Sequence, residues 1–412
     1  MKHSGVQWIG DIPKDWDIDT IGNLYTLRNE KVSDKDYPPL SVSKMGVVPQ
    51  LETAAKTDDG DNRKLVKVGD FAINSRSDRR GSCGISAYDG SVSLINTVIT
   101  PREQMNPRFY SWLFHSELFA DEFYKWGHGI VDDLWTTRWQ EMKRISIVAP
   151  SSEEQQKIAS FLDRKCCEID EMIALQEKII EELKAYKQSV ITEAVTKGLN
   201  PDVPMKDSGI EWIGEIPEHW KVDLLSLLFE EHKQRNTGLL CKNLLSLSYG
   251  KIVRKNIDSV GGLLPQSYDG YNIVDKGDIV FRLTDLQNDK KSLRTGLVRE
   301  RGIVTSAYVT LRSRKPVLSA YYQYLFHSYD VMKVFYGMGD GVRQGMNYGD
   351  LRKMLIVTPP HSEQNEIVEF LDTKCTEIDN LISIKLSKID SLKEYKKSII
   401  YEYITGKKEV TE

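Results

Sequence analysis

The sequence predicts a mixed α/β (α+β) fold in which two globular domains are separated by a pair of long antiparallel coiled-coil helices, the whole arising from an internal duplication about a pseudo-twofold axis. Three observations predict it: the chain is written twice, two long segments carry a heptad seam, and short β-rich runs among turn residues fill the intervals. Each follows from residues that can be read directly.

The duplication is read first, because a missed repeat misassigns every later element. Residues 2–16 (KHSGVQWIGDIPKDW) match residues 206–220 (KDSGIEWIGEIPEHW) at nine of fifteen positions with an offset of 204. Residues 155–170 match 364–379 at ten of sixteen positions with an offset of 209. Between these blocks the copies diverge, keeping only fragments such as Gly69-Asp70 with Gly277-Asp278 and Leu113-Phe114-His115-Ser116 with Leu325-Phe326-His327-Ser328. A scaffold kept alike around two drifting parts predicts two readers with different targets.

The repeated segment from Ser152 to about Lys197 lacks Pro and Gly, opens on Ser152-Glu153-Glu154-Gln155 in capping-box spacing, and stops at Thr196-Lys197-Gly198. Its apolar positions alternate in steps of four and three through Leu162, Cys166, Ile169, Ile173, Ile180 and Leu183. The second copy repeats the seam at Leu371, Cys375, Ile378, Ile382, Ile389 and Leu392. Polar residues interrupt both at matching places, Gln176 and Lys187 in one and Lys385 and Lys396 in the other, where a polar seam residue sets register. The obvious partner of each stripe is the other; the alternative is that each packs on its own globular domain. The domains expected are 1–150, the first helix 151–200, a second domain 201–358 and the second helix 359–412.

The intervening segments read as α+β domains, with strands expected at Val92–Thr100 and Ile145–Ala149 and a helix near Arg108–Tyr124 in the first, and a helix over Ala320–Tyr336 in the second. The formal charge of the chain is −4, yet residues 232–357 carry a net +10 while residues 20–149 are neutral. The acidity lies in the helices and Trp-rich opening segments. This segregation fits one surface meeting phosphate and another meeting protein. Candidate DNA-contacting positions are Arg76, Arg79, Arg80 and His128 in the first domain, and Lys251, Arg282, Lys290, Lys291, Arg294, Arg343 and Gln344 in the second, chosen as basic or amide side chains on Gly-flanked loops.

Catalytic and cofactor signatures are absent from the sequence: no Walker A loop, no dinucleotide fingerprint, no H-E-x-x-H and no Cys/His set spaced for a metal. The five scattered cysteines suggest neither disulfides nor zinc, and neither an apolar run of about 18 residues nor a secretory leader is evident, so a cytoplasmic location is expected.

The openings Pro150-Ser151-Ser152-Glu153-Glu154-Gln155 and Pro359-Pro360-His361-Ser362-Glu363-Gln364, each leading into I-x-x-F-L-D-x-K-x-x-x-I-D, together with Trp-Ile-Gly-x-Ile-Pro-x-x-Trp at Trp8 and Trp212, resemble the DNA-specificity subunits of type I restriction-modification systems. The resemblance spans essentially the whole chain. It implies two target-recognition domains, each reading one half of an asymmetric bipartite site in double-stranded DNA, with the helices setting the spacer and docking two methyltransferase subunits. It also implies a non-catalytic subunit that carries no cofactor, with S-adenosylmethionine, ATP and Mg on methyltransferase and endonuclease/translocase partners. The competing reading is a coiled-coil scaffold with two protein-interaction domains that does not bind DNA.

Overall fold

The computed structural model describes residues 1–52, 60–102, 105–129, 135–257, 267–284, 286, 293–338 and 345–411. The chain resolves into two units, Met1–Glu177 with Leu386–Glu412, and Lys178–Lys385, so each unit takes one globular part and a half of each long helix.

In the first unit a four-stranded antiparallel sheet is ordered β5–β4–β6–β1, from β1 (Tyr25–Arg28), β4 (Phe71–Asn74), β5 (Cys83–Ile85) and β6 (Asn96–Pro101). A hairpin of β2 (Leu40–Ser43) and β3 (Gly46–Pro49) completes the labelled strands. Every residue of β4 is buried, because its two faces serve two cores. Phe71 and Ile73 point into an aromatic core shared with α1 (Pro107–His115) and α2 (Glu117–Lys125), while Ala72 joins Leu40, Val47 and Val98 under the hairpin. The helical stretch expected near Arg108–Tyr124 is broken at Ser116, whose hydroxyl donates to the Leu113 carbonyl at 2.7 Å and accepts from the Phe119 amide at 3.2 Å, so it ends one helix and caps the next. The strand expected over Val92–Thr100 likewise divides into Gly90–Val92 and β6. The strand expected at Ile145–Ala149 forms over Ser146–Ala149 and pairs with Asp17–Thr20.

The first long helix, α3, runs Ser152–Lys197, 46 residues. Within the first unit its leading half packs antiparallel to the Leu386–Ile404 stretch of the second long helix: Phe161 meets Tyr403 at 4.3 Å between ring centroids, and nearer the other end Asp170 pairs with Lys396 at 2.6 Å. Cys166, Ile169 and Ile399 are buried between them with Ile173 and Leu392.

The second unit repeats the plan. Its sheet is ordered β7–β12–β10–β11, from β7 (Phe229–Glu231), β10 (Ile279–Phe281), β11 (Thr295–Leu297) and β12 (Val309–Ser313), the counterparts of β1, β4, β5 and β6. A hairpin of β8 (Leu245–Ser248) and β9 (Lys251–Arg254) matches β2–β3. Helix α4 covers Ser319–Val331 without a break and, after Lys333 at φ +64°, gives way to a short 3₁₀ turn, so the helix expected to reach Tyr336 ends earlier. The second long helix, α5, is His361–Ile404. Its leading half lies against the trailing half of α3, where Lys187 pairs with Asp379 at 2.7 Å and Ile191 and Ala194 share a core with Leu371 and Cys375. The ten expected seam residues, Leu162, Ile169, Ile173, Ile180, Leu183, Leu371, Ile378, Ile382, Ile389 and Leu392, are all buried or half-buried.

The start of α3 is capped one residue earlier than the capping-box spacing predicts. The Glu154 amide donates to the Ser151 hydroxyl at 3.2 Å, and the buried Gln155 is a bolt. Its amide donates to the Pro150 carbonyl at 2.8 Å and its oxygen accepts the Asn106 amide at 2.7 Å. Gln364 does the same with the Pro359 carbonyl and the Leu318 amide. The Gln of both motifs thus fastens each long helix to its own globular part.

Candidate nucleic-acid interface

Beneath each hairpin, two glycines determine how closely it can sit. A Cβ on Gly84 of β5 would lie 2.7 Å from the Gly46 Cα, and one on Gly90 would lie 2.6 Å from the Pro38 carbonyl oxygen. In the second unit a Cβ on Gly296 of β11 would lie 2.6 Å from the Leu247 side chain, and one on Gly302 2.5 Å from Leu245. Both hairpins are therefore seated against the sheet by a G-x5-G pair, Gly84/Gly90 and Gly296/Gly302. The inward positions are Leu40 and Val42 in one and Leu245 and Leu247 in the other. The alternate positions, Ser41 and Ser43 or Ser246 and Ser248, are half-buried on the opposite face, as the two-residue period of a strand requires.

In the first unit Ser41 and Ser43 line a cleft of about 750 Å³ with Lys44, Gln50, Asn74, Arg76, Arg79 and Asn96. Hydroxyls, amides and guanidinium groups facing one open cleft are the side chains that hydrogen-bond phosphates and base edges. Its wall is stiff: the buried Arg63 donates to the Ser91 hydroxyl at 2.8 Å and carbonyl at 2.9 Å, and Lys64 donates to the Asn96 carbonyl at 2.6 Å. Burial pushes the pKa of both cations down.

The structure brings together Arg76 and Arg79 of the expected set, and leaves others elsewhere. Arg80 is ion-paired with Asp121 and lies 5.7 Å over the Tyr124 ring, against α2. His128 is exposed, 3.9 Å from Glu141, and borders a separate surface hollow with Trp8 and Trp126. Lys251 is exposed at the start of β9. Arg282 is half-buried, its amide bound to the Arg294 carbonyl at 2.8 Å. Arg294 corrects the sequence reading: its side chain is 0% exposed and cannot reach a ligand. Its guanidinium donates to the Thr284 carbonyl at 2.8 Å and the Tyr336 hydroxyl at 3.2 Å and lies 5.3 Å over that ring, while its amide donates to Asp330 at 2.5 Å. Its role is to tie segments 282–284, 294 and 330–336 together. Lys290, Lys291, Arg343 and Gln344 lie outside the described residues.

The Gly-Asp pairs, singled out from the sequence, are structural clamps. Gly69 and Gly277 adopt φ +87° and +96°, and the buried Asp that follows accepts a turn amide, from Lys67 or Asp275, at 2.8 Å. Asp70 also binds Arg28 of β1 at 2.5 Å and Thr100 of β6 at 2.8 Å. In the second unit the cation has moved one strand across: Arg312 of β12 grips Asp278 at 2.7 and 2.8 Å, and His232 stands where Arg28 does in the first. These hydrogen bonds, first of all, raise the pKa of Arg28 and Arg312. Among the described residues, His232, Asp275 and Asp278 are one group spaced to hold a metal ion, but the Arg312 guanidinium already bridges both carboxylates there.

The hairpins were missed by loop-based reading, although the sequence carries their signal. Leu40-Ser41-Val42-Ser43 and Leu245-Ser246-Leu247-Ser248 repeat at an offset of 205, and the two glycine pairs at 212.

No family model matches the chain. The putative type I restriction enzyme MjaX specificity subunit of Methanocaldococcus jannaschii is 24% identical over 97% of this chain and 95% of its own length. The type I restriction enzyme MjaVIII specificity subunit of the same organism is 26% identical over 96% of this chain and 93% of its own. A chain from a type I R-M system matches the fold with a TM-score of 0.71 at 14% identity, covering 96% of this chain and 98% of that one. The HsdS subunit from Thermoanaerobacter tengcongensis matches with a TM-score of 0.56 at 15% identity and the same coverage. The resemblance read from the motifs thus extends over nearly the whole chain.

Proposed function

From this chain's kinship with type I restriction-enzyme specificity subunits, we propose that it is the DNA sequence-specificity subunit of such a complex. Each unit carries one target-recognition domain and reads one half of an asymmetric bipartite site in double-stranded DNA. The long helices set the spacer and dock two methyltransferase subunits. An endonuclease/translocase partner completes the complex where restriction accompanies methylation. The chain itself is non-catalytic and holds no cofactor, S-adenosylmethionine, ATP and Mg belonging to its partners, and it works in the cytoplasm.

The observation that carries this reading is the end-to-end alignment with two named specificity subunits, over 96–97% of the chain. Two structural facts support it. The hairpin, sheet and bolt recur in both units while the hairpin tips differ, Lys44-Met45 in one and Tyr249-Gly250 in the other, as expected of one framework reading two sequences. The second globular part is strongly basic, at net +10 over residues 232–357. Among the described residues no helix is long and apolar enough to cross a membrane.

The test is a map of methylated bases in genomic DNA with and without this chain, methyltransferase partner present. Loss of one split, non-palindromic motif on deletion is expected; an unchanged methylation pattern would overturn the proposal in favour of a protein scaffold.

A further inference from the structure

The two hairpins have like arms and unlike tips. In the first, Lys44 and Met45 form the tip, Met45 74% exposed. In the second the tip is Tyr249-Gly250, with φ +45° and +77°, the signature of a type I′ turn. Gly250 is dictated by structure: besides its φ, a Cβ there would lie 3.1 Å from Leu293. Nothing of the kind explains Tyr249. It is a bulky residue in the left-handed region that turns normally give to Gly, Asn or Asp, and it buries nothing, being 78% exposed. An aromatic held in an unfavourable backbone conformation and pointed at solvent does no work for the fold, and backbone strain of this kind gathers at functional sites.

Its surroundings say what it meets. Gly250 lies close against Leu293 and the arms are seated on Gly296 and Gly302, so the tip is held against the domain. Exposed Lys251 follows it, Ser248 precedes it, and the domain around it is basic. A two-stranded ribbon of this size fits the DNA major groove, which is about 12 Å wide. Serine hydroxyls on such a ribbon reach base edges, a lysine at its end reaches phosphate, and an aromatic ring contacts the thymine methyl or stacks at a step.

We propose that hairpin β8–β9 enters the major groove and that Tyr249, at its tip, is a specificity-determining contact to a base step of the half-site read by the second unit, the exposed Met45, one position further along its turn, taking that part in the first. This rests on the proposed function. The arms supply contacts common to both halves and the tips supply the difference between them.

The experiment uses the full chain with its methyltransferase partner. Tyr249→Asn is the informative variant, because Asn suits the left-handed turn and removes the ring without disturbing the hairpin; an unchanged or raised Tm checks this. Cognate duplexes and duplexes with single base changes at each half-site position are compared for binding, and the methylation motif is mapped. Tyr249→Asn is expected to lose ten- to a hundredfold discrimination at one or two adjacent positions of one half-site, the other half-site staying intact. Met45→Ala is expected to do the same in the opposite half. Discrimination within twofold of wild type at every position overturns the assignment, as does an equal fall in affinity for all sequences with the motif preserved. If the wild-type chain itself directs no split motif, the proposed function has failed, and that result is separate from either variant.

Discussion

At the scale of single residues, the buried acids of the two Gly-Asp clamps carry more weight than any surface charge. Asp70 and Asp278 are 2% exposed, each receiving a turn amide and an arginine. Replacing Asp70 by Ala strands a cation and an amide at once, whereas Arg312 keeps Asp275 when Asp278 is removed and only the Asp275 amide is stranded. Urea unfolding should show a loss of about 2–4 kcal/mol, the range for breaking a largely buried pair moderated by the partial exposure of the arginine. A loss under about 1 kcal/mol, the ordinary value of a surface pair, would show that the clamp is dispensable. Arg294→Ala should act likewise on stability, since its guanidinium is bound to carbonyls rather than facing solvent. His327 supplies a pH dependence. Burial, assisted by Lys187, pushes its pKa down to about 4. Unfolded, it titrates near 6.5. The unfolded chain therefore binds this proton first as pH falls, so the penalty is nil above about 6.5, grows down to about 4 and is constant below. His327→Gln should flatten the fall of Tm between pH 7 and pH 5 relative to wild type; parallel curves for the two proteins would refute the role of this side chain.

At the scale of elements, the paired glycines predict an asymmetry between the hairpins. A methyl on Gly84 would run into the backbone of Gly46, whereas one on Gly296 would meet the mobile ends of Leu247 and Ile252. Gly84→Ala should therefore cost about 1–3 kcal/mol, the usual cost of overpacking, and Gly296→Ala less, as read by thermal unfolding. Equal effects would mean that both hairpins move freely on their sheets. The long helices were legible in the sequence because 46 and 44 residues give the four-three period many turns in which to declare itself, and two of the three polar seam lysines found aspartates, Lys187 with Asp379 and Lys396 with Asp170. The hairpins were not, since strands of four residues joined by Lys-Met or Tyr-Gly lack the Asn-Gly signal that marks a two-residue turn. Of the basic residues singled out on loops, Arg76 and Arg79 line the cleft and Arg294 is buried. Whether a guanidinium faces solvent is decided by what folds over it, and local spacing carries no trace of that.

At the scale of the whole molecule, the two units share a plan down to the order of strands, the hairpin and the glutamine bolt, so what distinguishes them is what each presents and how far apart the proposed half-sites lie. The unit boundaries fall at Glu177 in α3 and Lys385 in α5, inside the two helices and away from every clamp. Seven residues of heptad sequence inserted at both places keep the a/d seam in register on each side. Seven helical residues add about 10 Å, which at about 3.4 Å per base pair is close to three base pairs. If the helices set the spacing as proposed, the doubly inserted chain should direct methylation to the same two half-sites with a spacer about three base pairs longer. An insertion in one helix only should instead disrupt assembly or activity, because it shifts one stripe by a heptad against its partner and misaligns Lys187 with Asp379 or Lys396 with Asp170. Mapping the methylated motif decides between them: an unchanged spacer in the double insertion would mean that the partners, rather than these helices, measure the DNA.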